Sequence, residues 1–425
     1  MNRGFYTTMA AQFFSSLADN ALLIACIAML ETIKAPPWMT PLLKSFFVLS
    51  YVLLAAFVGA FADAYPKGRV MFCTNLLKIL GCSLMFFNVH PLVAYGIVGF
   101  GAAAYSPAKY GILTELLPPE KLVAANGWIE GLTVSSIIFG TALGGMLVGP
   151  HMTDMLARMH VPSFLPDPNL TSDMALVVIV GTYLVAAIIN LSIPDTGVAY
   201  EKQQHTPFKL ITDFAGCCAT LWNDKLGQIS LAVTTLFWGA GATLQFIVLK
   251  WGEKSLNMPF NEVVILQVVV VIGAVVGSLG AAMIVPLRRT LSLLPVGIAM
   301  GVVVMTMTMV HSVQMAYPLL IIIGALSGFF VVPMNALLQH RGAELMSAGH
   351  SIAVQNFNEN MSILTMLGLY AVMVKLKLEV NTVIVIFGMF VVGSLLLVMR
   401  WHALNQKKFD SVALIGEHHP HTRGH

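Results

Sequence analysis

Twelve apolar stretches, each long enough to cross about 30 Å of hydrocarbon as a helix, leave this chain few folds to choose from. They fall near 5–33, 40–62, 70–88, 91–113, 125–149, 174–194, 227–250, 262–286, 293–311, 315–338, 349–374 and 380–400. No water reaches backbone groups inside a bilayer, so each stretch must satisfy its own N–H and C=O groups as a helix. Composition points the same way. Hydrophobic residues make up 57% of the 425-residue chain and charged residues only 10%, against roughly a quarter in a soluble domain. That is too little charge to solvate a globule of this size, so most of the surface faces lipid. The expected fold class is an all-α polytopic membrane protein. Arg3 before an apolar run is superficially like a secretion signal, but Asp19 and Asn20 interrupt the run and no small-residue cleavage site follows, so it reads as a retained first helix.

Several function classes drop out. The net charge of +3 comes without a basic stripe interleaved with aromatics, which excludes a nucleic-acid partner. The five cysteines form no CxxC pair and no metal spacing, so no cofactor and no metal is expected. His418-His419-Pro420-His421 reads as part of a disordered terminus in preference to a weak metal site. A membrane acyltransferase commonly wants a His-x-x-x-x-Asp pair for general-base work, and none of the twelve histidines has Asp at that spacing. The chain does not read as an enzyme.

Lys and Arg placement orients the helices. With a cytoplasmic N-terminus, fourteen of these residues fall on inside segments and seven on outside segments, with Lys78 and Lys109 left within helices. Both termini are therefore expected inside. The expected organisation is a six-helix bundle over 1–194, a cytoplasmic linker over 195–226, a second six-helix bundle over 227–400 and a disordered cytoplasmic tail over 401–425. Within the linker, Phe208, Ile211, Ala215, Cys218 and Trp222 recur at helical spacing, which predicts an amphipathic helix over 208–222, lying on the membrane surface or serving as a soluble linker. A Pro-rich loop is expected over 150–173. The halves also echo each other: Ser106-Pro107-Ala108-Lys109 in the fourth helix matches Val332-Pro333-Met334-Asn335 in the tenth, and Lys121–Gly127 resembles Leu345–His350. Such internal duplication marks repeat-built membrane transporters.

Ionisable groups in mid-membrane cost about 2.5–3.5 kcal/mol each on insertion scales, so they persist only when paired or facing a wet cavity. Lys78, with Asn75 one turn earlier, reads as one member of an internal ion pair. Asp19 beside Asn20, and Glu359 among Gln355, Asn356, Asn358 and Asn360, read as ligand-facing acids. Lys109 and Glu115 bracket the inner end of the fourth helix, and Glu130 lies a turn inside the fifth. Asp63, Lys67 and Arg69 form a loop cluster with a conformational role, to which Glu115 is added as a gate residue. Polar groups in the first half against methionines such as Met300, Met305, Met361 and Met366 in the second suit an amphipathic ligand.

Five stretches resemble the bacterial lysophospholipid transporters (LplT) of the major facilitator superfamily: Ala18–Leu23, the run GAAAYSPAKYGIL over Gly101–Leu113, Phe237–Gly241, FFVVPMNALL over Phe329–Leu338, and Ile352–Asn356. The resemblance covers nearly all of the chain to about residue 400. It implies a major facilitator fold of twelve transmembrane helices in two six-helix bundles. It implies a multi-pass, monomeric protein of the bacterial inner membrane, surrounded by membrane lipid. The implied substrate is lysophosphatidylethanolamine and related lysolipids, moved from the outer to the inner leaflet for reacylation, with a functional link to a lysolipid acyltransferase. By the same resemblance Asp19, Asn20, Lys109 and Glu359 match polar cavity positions, Asp19 for an ammonium and Lys109 for a phosphate; Asn356 and Gln245 are further substrate-binding candidates. Gln245 stands where the family pattern has an arginine, so a cavity cation is missing there. A proton-coupled exporter of amphipathic drugs, or a non-transporting receptor, would show much the same composition.

Overall fold

The computed structural model describes residues 3–36, 39–149, 152, 170–198, 206–258 and 260–415. Among them all regular structure is helical. The helices are α1 (Arg3–Thr32), α2 (Met39–Leu53), α3 (Ala55–Ala64), α4 (Lys67–Leu84), α5 (Pro91–Leu116), α6 (Leu122–Val148), α7 (Leu170–Leu191), α8 (Pro207–Asn223), α9 (Gly227–Lys254), α10 (Phe260–Ile284), α11 (Leu294–Met305), α12 (Val313–Leu345), α13 (Ala348–Lys375) and α14 (Val380–Lys408). Nine helical segments among the described residues are long and apolar enough to cross a membrane, and the pair α2–α3 makes a tenth. The other two expected spans are α5 and α13, 26 and 28 residues long. Their length suffices, but their apolar character is diluted by Ser106, Lys109, Gln355, Asn356 and Glu359.

Three segments differ from expectation. The stretch 40–62 is not one straight helix but a pair bent by 65° at Leu54. Just before the bend the Ser50 hydroxyl donates to the Phe46 carbonyl at 2.9 Å, a back-bond of the kind that bends helices. The tail does not begin at 401, because α14 runs to Lys408 with Lys407 and Lys408 in its last turn, where cations suit the helix dipole; Ser411 and Ile415 beyond it are buried. In the linker, α8 covers the predicted 208–222 helix but has two apolar edges, with Phe214 and Leu221 packed inward while Phe208 and Ile211 stay exposed. The 150–173 loop lies outside the described residues apart from Met152 and its last four positions, and the histidine-rich end lies outside them too.

The chain divides into two compact units. Unit 1 comprises Met1–Leu116, Leu132–Phe214 and Ala348–Ala353; unit 2 comprises Leu117–Gly131, Ala215–Ser347 and Val354–His425. In unit 1, α1 packs on α7, and α4 on both α5 and α7. Small residues make this possible: Ala18, Ala21 and Ala25 of α1 are fully buried, and a Cβ at Gly140 would lie 2.5 Å from the Leu17 carbonyl oxygen. In unit 2 the closest pairing is α10 on α12, where Gly273 and Gly277 lie against Ile321 and Ala325, Gly324 and Gly328 lie against Val270 and Ala274, and any Cβ would collide with the opposite backbone. Lipid-embedded helices associate through such small-xxx-small contacts, since burying apolar surface gains little in hydrocarbon.

Candidate substrate and gating residues

In unit 1 the intramembrane charges meet. Lys78 Nζ on α4 reaches Asp19 Oδ2 on α1 at 2.8 Å. The Tyr183 hydroxyl on α7 donates to Asp19 Oδ1 at 2.7 Å. Lys78 Nζ also donates to Ser15 Oγ at 3.0 Å, and Ser15 donates on to Asn75 Oδ1 at 2.8 Å. The ammonium lies 5.0 and 5.7 Å from the ring centres of Tyr105 and Tyr183. Lys78 fits only because position 101 is glycine; a Cβ there would sit 2.7 Å from Lys78 Cγ. The expected internal pair for Lys78 therefore exists, and its partner is Asp19. Assigning Asp19 to a ligand alone is incomplete, because both its oxygens are already engaged. Burying either charge by itself costs several kcal/mol, which is why they meet.

The other unit 1 candidates are less central. Asn20 donates to the Ser16 carbonyl at 2.8 Å and packs where a Gly140 Cβ would touch it, so it serves helix packing. Lys109, two residues past the mid-helix Pro107, holds its Nζ 4.0 Å from the Tyr110 ring centre and is half-buried.

Unit 2 treats its acid differently. Glu359 on α13 is 8% exposed and accepts from Gln355 Nε2 at 2.8 Å. Gln355 also donates to Asn335 Oδ1 on α12 at 3.2 Å. Thr234 on α9 reaches the same carboxylate, and Glu130 on α6 acts on it electrostatically. No cation pairs with Glu359 among the described residues, and Gln355 Oε1 is a buried acceptor without a partner there. Asn356 is half-buried and its carbonyl accepts from Asn360 at 2.7 Å. Gln245 is exposed on α9, held through its carbonyl by Gln267 Nε2 at 2.7 Å.

The loop cluster is tighter than its charges alone predict. Lys67 Nζ lies 2.7 Å from Asp63 Oδ1 and 3.5 Å from Glu115 Oε1. Asp63 also accepts from the Gly349 amide at 2.9 Å, the His350 amide at 3.2 Å and His350 Nδ1 at 2.9 Å. Those amides are among the free N–H groups that open α13, so Asp63 caps that helix and meets its positive dipole end. Position 349 must be glycine, since a Cβ would come 2.6 Å from Asp63 Oδ1. Thr196 donates to Glu115 Oε2 at 2.6 Å. Arg69 stands apart from the cluster and is exposed; His350 takes the place expected for it.

A second charge cluster, in unit 2, went unread in the sequence. Asp224, between α8 and α9, accepts from Arg341 Nε at 3.0 Å and Nη2 at 2.7 Å and caps α9 through the Gly227 amide at 2.7 Å. Arg341 Nη1 reaches Glu344 at 3.0 Å. Burial alone would raise the Asp224 carboxyl, but the hydrogen bonds from Arg341 and the Gly227 amide hold it below the ordinary carboxylate range. One residue earlier but one, Trp222 Nε1 donates to Asn358 Oδ1 at 3.2 Å, so the end of α8 is tied to both α12 and α13. The internal repeat carried the missed signal: Arg341 stands eight residues past Pro333, as Glu115 stands eight past Pro107.

Residues 8–364 match the family model described as Major Facilitator Superfamily. A curated relative, "Lysophospholipid transporter LplT" of Yersinia enterocolitica, is 43% identical over 381 residues, which is 89% of each chain. The protein of that name in Yersinia pestis (strain Pestoides F) is 42% identical over 384 residues, 90% of each. The chain belongs to the major facilitator superfamily and, within it, to the lysophospholipid transporter family. Solved structures agree on the fold. The transporter FucP in the outward conformation superposes with a TM-score of 0.72 at 13% identity, covering 94% of this chain and 98% of that one. A bacterial homologue of the iron transporter ferroportin gives 0.70 at 12% identity, covering 96% and 100%.

For this member of the lysophospholipid transporter family, whose named relatives are transporters, the nine apolar spans and the α2–α3 pair among the described residues fit the fold. The described residues contain no cluster of three or more metal-ligating side chains. What the geometry adds is a division of labour among its charges: one acid neutralised by a lysine, one held by the Gln355 amide and the Thr234 hydroxyl, and two ionic clusters at helix ends.

Proposed function

We propose that this chain moves lysophospholipids, lysophosphatidylethanolamine among them, from the outer to the inner leaflet of the bacterial inner membrane, where reacylation by a lysolipid acyltransferase consumes them. The identity to named lysophospholipid transporters over 89% of the chain supports the substrate class. The observation that carries the site is Glu359. It is a buried carboxylate with a buried acceptor, Gln355 Oε1, beside it and no cation among the described residues. An ethanolamine ammonium supplies what this pair of acceptors lacks: one positive charge with three donors.

Asp19 meets an ammonium only by exchanging it for Lys78, so its first role is to hold α1, α4 and α7 together. Lys109 of unit 1 offers a cation for phosphate, and Asn356 and Gln245 of unit 2 are uncharged polar candidates for the same lipid class, while Asn20 is kept for helix packing. Transport runs by alternating access, with lysolipid arriving sideways from the membrane rather than through water. Asp63, Lys67, Glu115 and His350 form the latch at the α13 N-terminus that closes and opens during the cycle. The protein works as a monomer with both termini cytoplasmic, two six-helix bundles and α8 lying along the inner membrane surface on Phe208 and Ile211.

Purified protein in proteoliposomes tests this. Fluorescent lysophosphatidylethanolamine is expected to cross between leaflets at a rate that depends on its head group. Head-group-independent movement, or proton-linked efflux of amphipathic drugs without lysolipid flipping, would contradict the reading and favour a drug exporter.

A further inference from the structure

We infer that unit 1 carries a separate docking site for the phosphate–amine head group of an outer-leaflet lysolipid, in a cleft between His90 and Asp173. The inference rests on the transport direction proposed above. The cleft, of about 170 Å³, lies at the C-terminal end of α1, past the end of α4, and at the N-terminal ends of α5 and α7. In each of these four helices that is the end opposite the one nearer Asp63, Lys67 and Glu115 in the fold, which makes it the outer end when the latch is cytoplasmic.

Three observations point to a lipid head group. The first is chemistry. His90 Nδ1 accepts from the Leu92 amide at 3.3 Å, so the neutral ring carries its proton on Nε2 and presents a donor for a phosphate oxygen. Asp173, half-buried on the first turn of α7, has no partner among the described residues and offers a carboxylate to an ammonium. Thr32, Asn88 and Ser172 add hydroxyl and amide groups around them. The second is size. Pockets for drug-sized ligands measure about 300–1,000 Å³, so this smaller cleft has room for a head group while the acyl chain stays in lipid; Met29, Met85 and Val89 in its lining suit the first methylenes. The third is access to lipid. Phe86 and Phe87, in the short turn that ends α4, are 37% and 77% exposed, so an apolar, lipid-facing surface adjoins the cleft lining at Met85 and Asn88. The left-handed turn at Asn88 (φ 59°) then brings His90 back over the cleft.

The site is a loading point and not the transport site, so it should govern apparent affinity and leave turnover alone. Spheroplasts producing the protein are supplied with lysophosphatidylethanolamine or lysophosphatidylglycerol from outside, and initial uptake is normalised to the amount of folded protein in the membrane. Asp173→Asn is expected to raise KM for lysophosphatidylethanolamine about tenfold, the scale of one lost charge-assisted hydrogen bond, with kcat unchanged. Lysophosphatidylglycerol, which lacks the ammonium, should shift less than about twofold. His90→Ala should raise KM for both, because both carry the phosphate, and Asp173→Glu should stay near wild type. A wild-type KM in Asp173→Asn, or an equal fall in kcat for both head groups, overturns the docking site while leaving transport intact. No uptake of either lipid by the unaltered protein overturns the transport reading, and the docking site with it.

Discussion

Two mid-membrane acids, Asp19 in unit 1 and Glu359 in unit 2, are handled in opposite ways. Asp19 is neutralised in place, with a lysine on one oxygen, a tyrosine hydroxyl on the other, and three helices tied through the contact. Glu359 is held by an amide from its own helix, with Thr234 nearby and no cation among the described residues. The difference separates two uses of intramembrane charge. A carboxylate that already has its counter-charge acts as a fastener, and releasing it exposes two charges at once. A carboxylate held only by neutral groups keeps its attraction for a cation that arrives from outside.

Breaking that contrast should have its largest effect at the fastener. Lys78→Met leaves the half-buried Asp19 in mid-membrane without its cation and is expected to cost about 3 kcal/mol, as removal of one partner of a buried pair does; thermal unfolding in detergent reads it. Asp19→Asn strands Lys78 in the same way, so it should lower stability as well as transport, whereas the double variant should recover most of the loss. Next comes the latch. Asp63→Asn removes the Lys67 pair and weakens the cap on α13, at an expected cost of about 1–2 kcal/mol, read as a lower unfolding temperature and a changed transport rate. Smaller still is the Asp224 clamp. Its carboxyl is held below its unfolded value, so the folded state binds fewer protons. Its contribution of about 1 kcal/mol is therefore present above the ordinary aspartate range, near pH 4, and is lost as pH falls through the lowered value. Unfolding temperatures against pH should show a shallower acid limb for Asp224→Asn than for the unaltered protein.

How much of this was legible in the sequence follows from the range of each interaction. Helix positions, the linker helix over 208–222 and the exclusion of enzyme chemistry rest on local pattern and composition, which the chain displays directly. Buried charge is legible too, since a lysine at position 78 in an apolar run has few ways to survive. The identity of its partner is not, because Lys78 meets Asp19 across 59 residues of chain and nothing local selects that acid over others. The same holds for the latch. Asp63 and Lys67 are neighbours in sequence, but His350 reaches them from 287 residues away, while Arg69, next in the motif, points elsewhere. The bend at Leu54 escaped notice for a different reason: no proline or glycine marks it, and the Ser50 back-bond shows only once the helix exists.

Glu359 is the acid proposed to meet a cationic head group. Flipping of lysophosphatidylethanolamine and lysophosphatidylglycerol by Glu359→Gln in proteoliposomes tests this directly. The expected result is a loss of about tenfold or more for the ammonium-bearing lipid, little change for the other, and an unfolding temperature close to that of the unaltered protein, because no cation is left stranded. Wild-type flipping of lysophosphatidylethanolamine by a folded Glu359→Gln variant would contradict it.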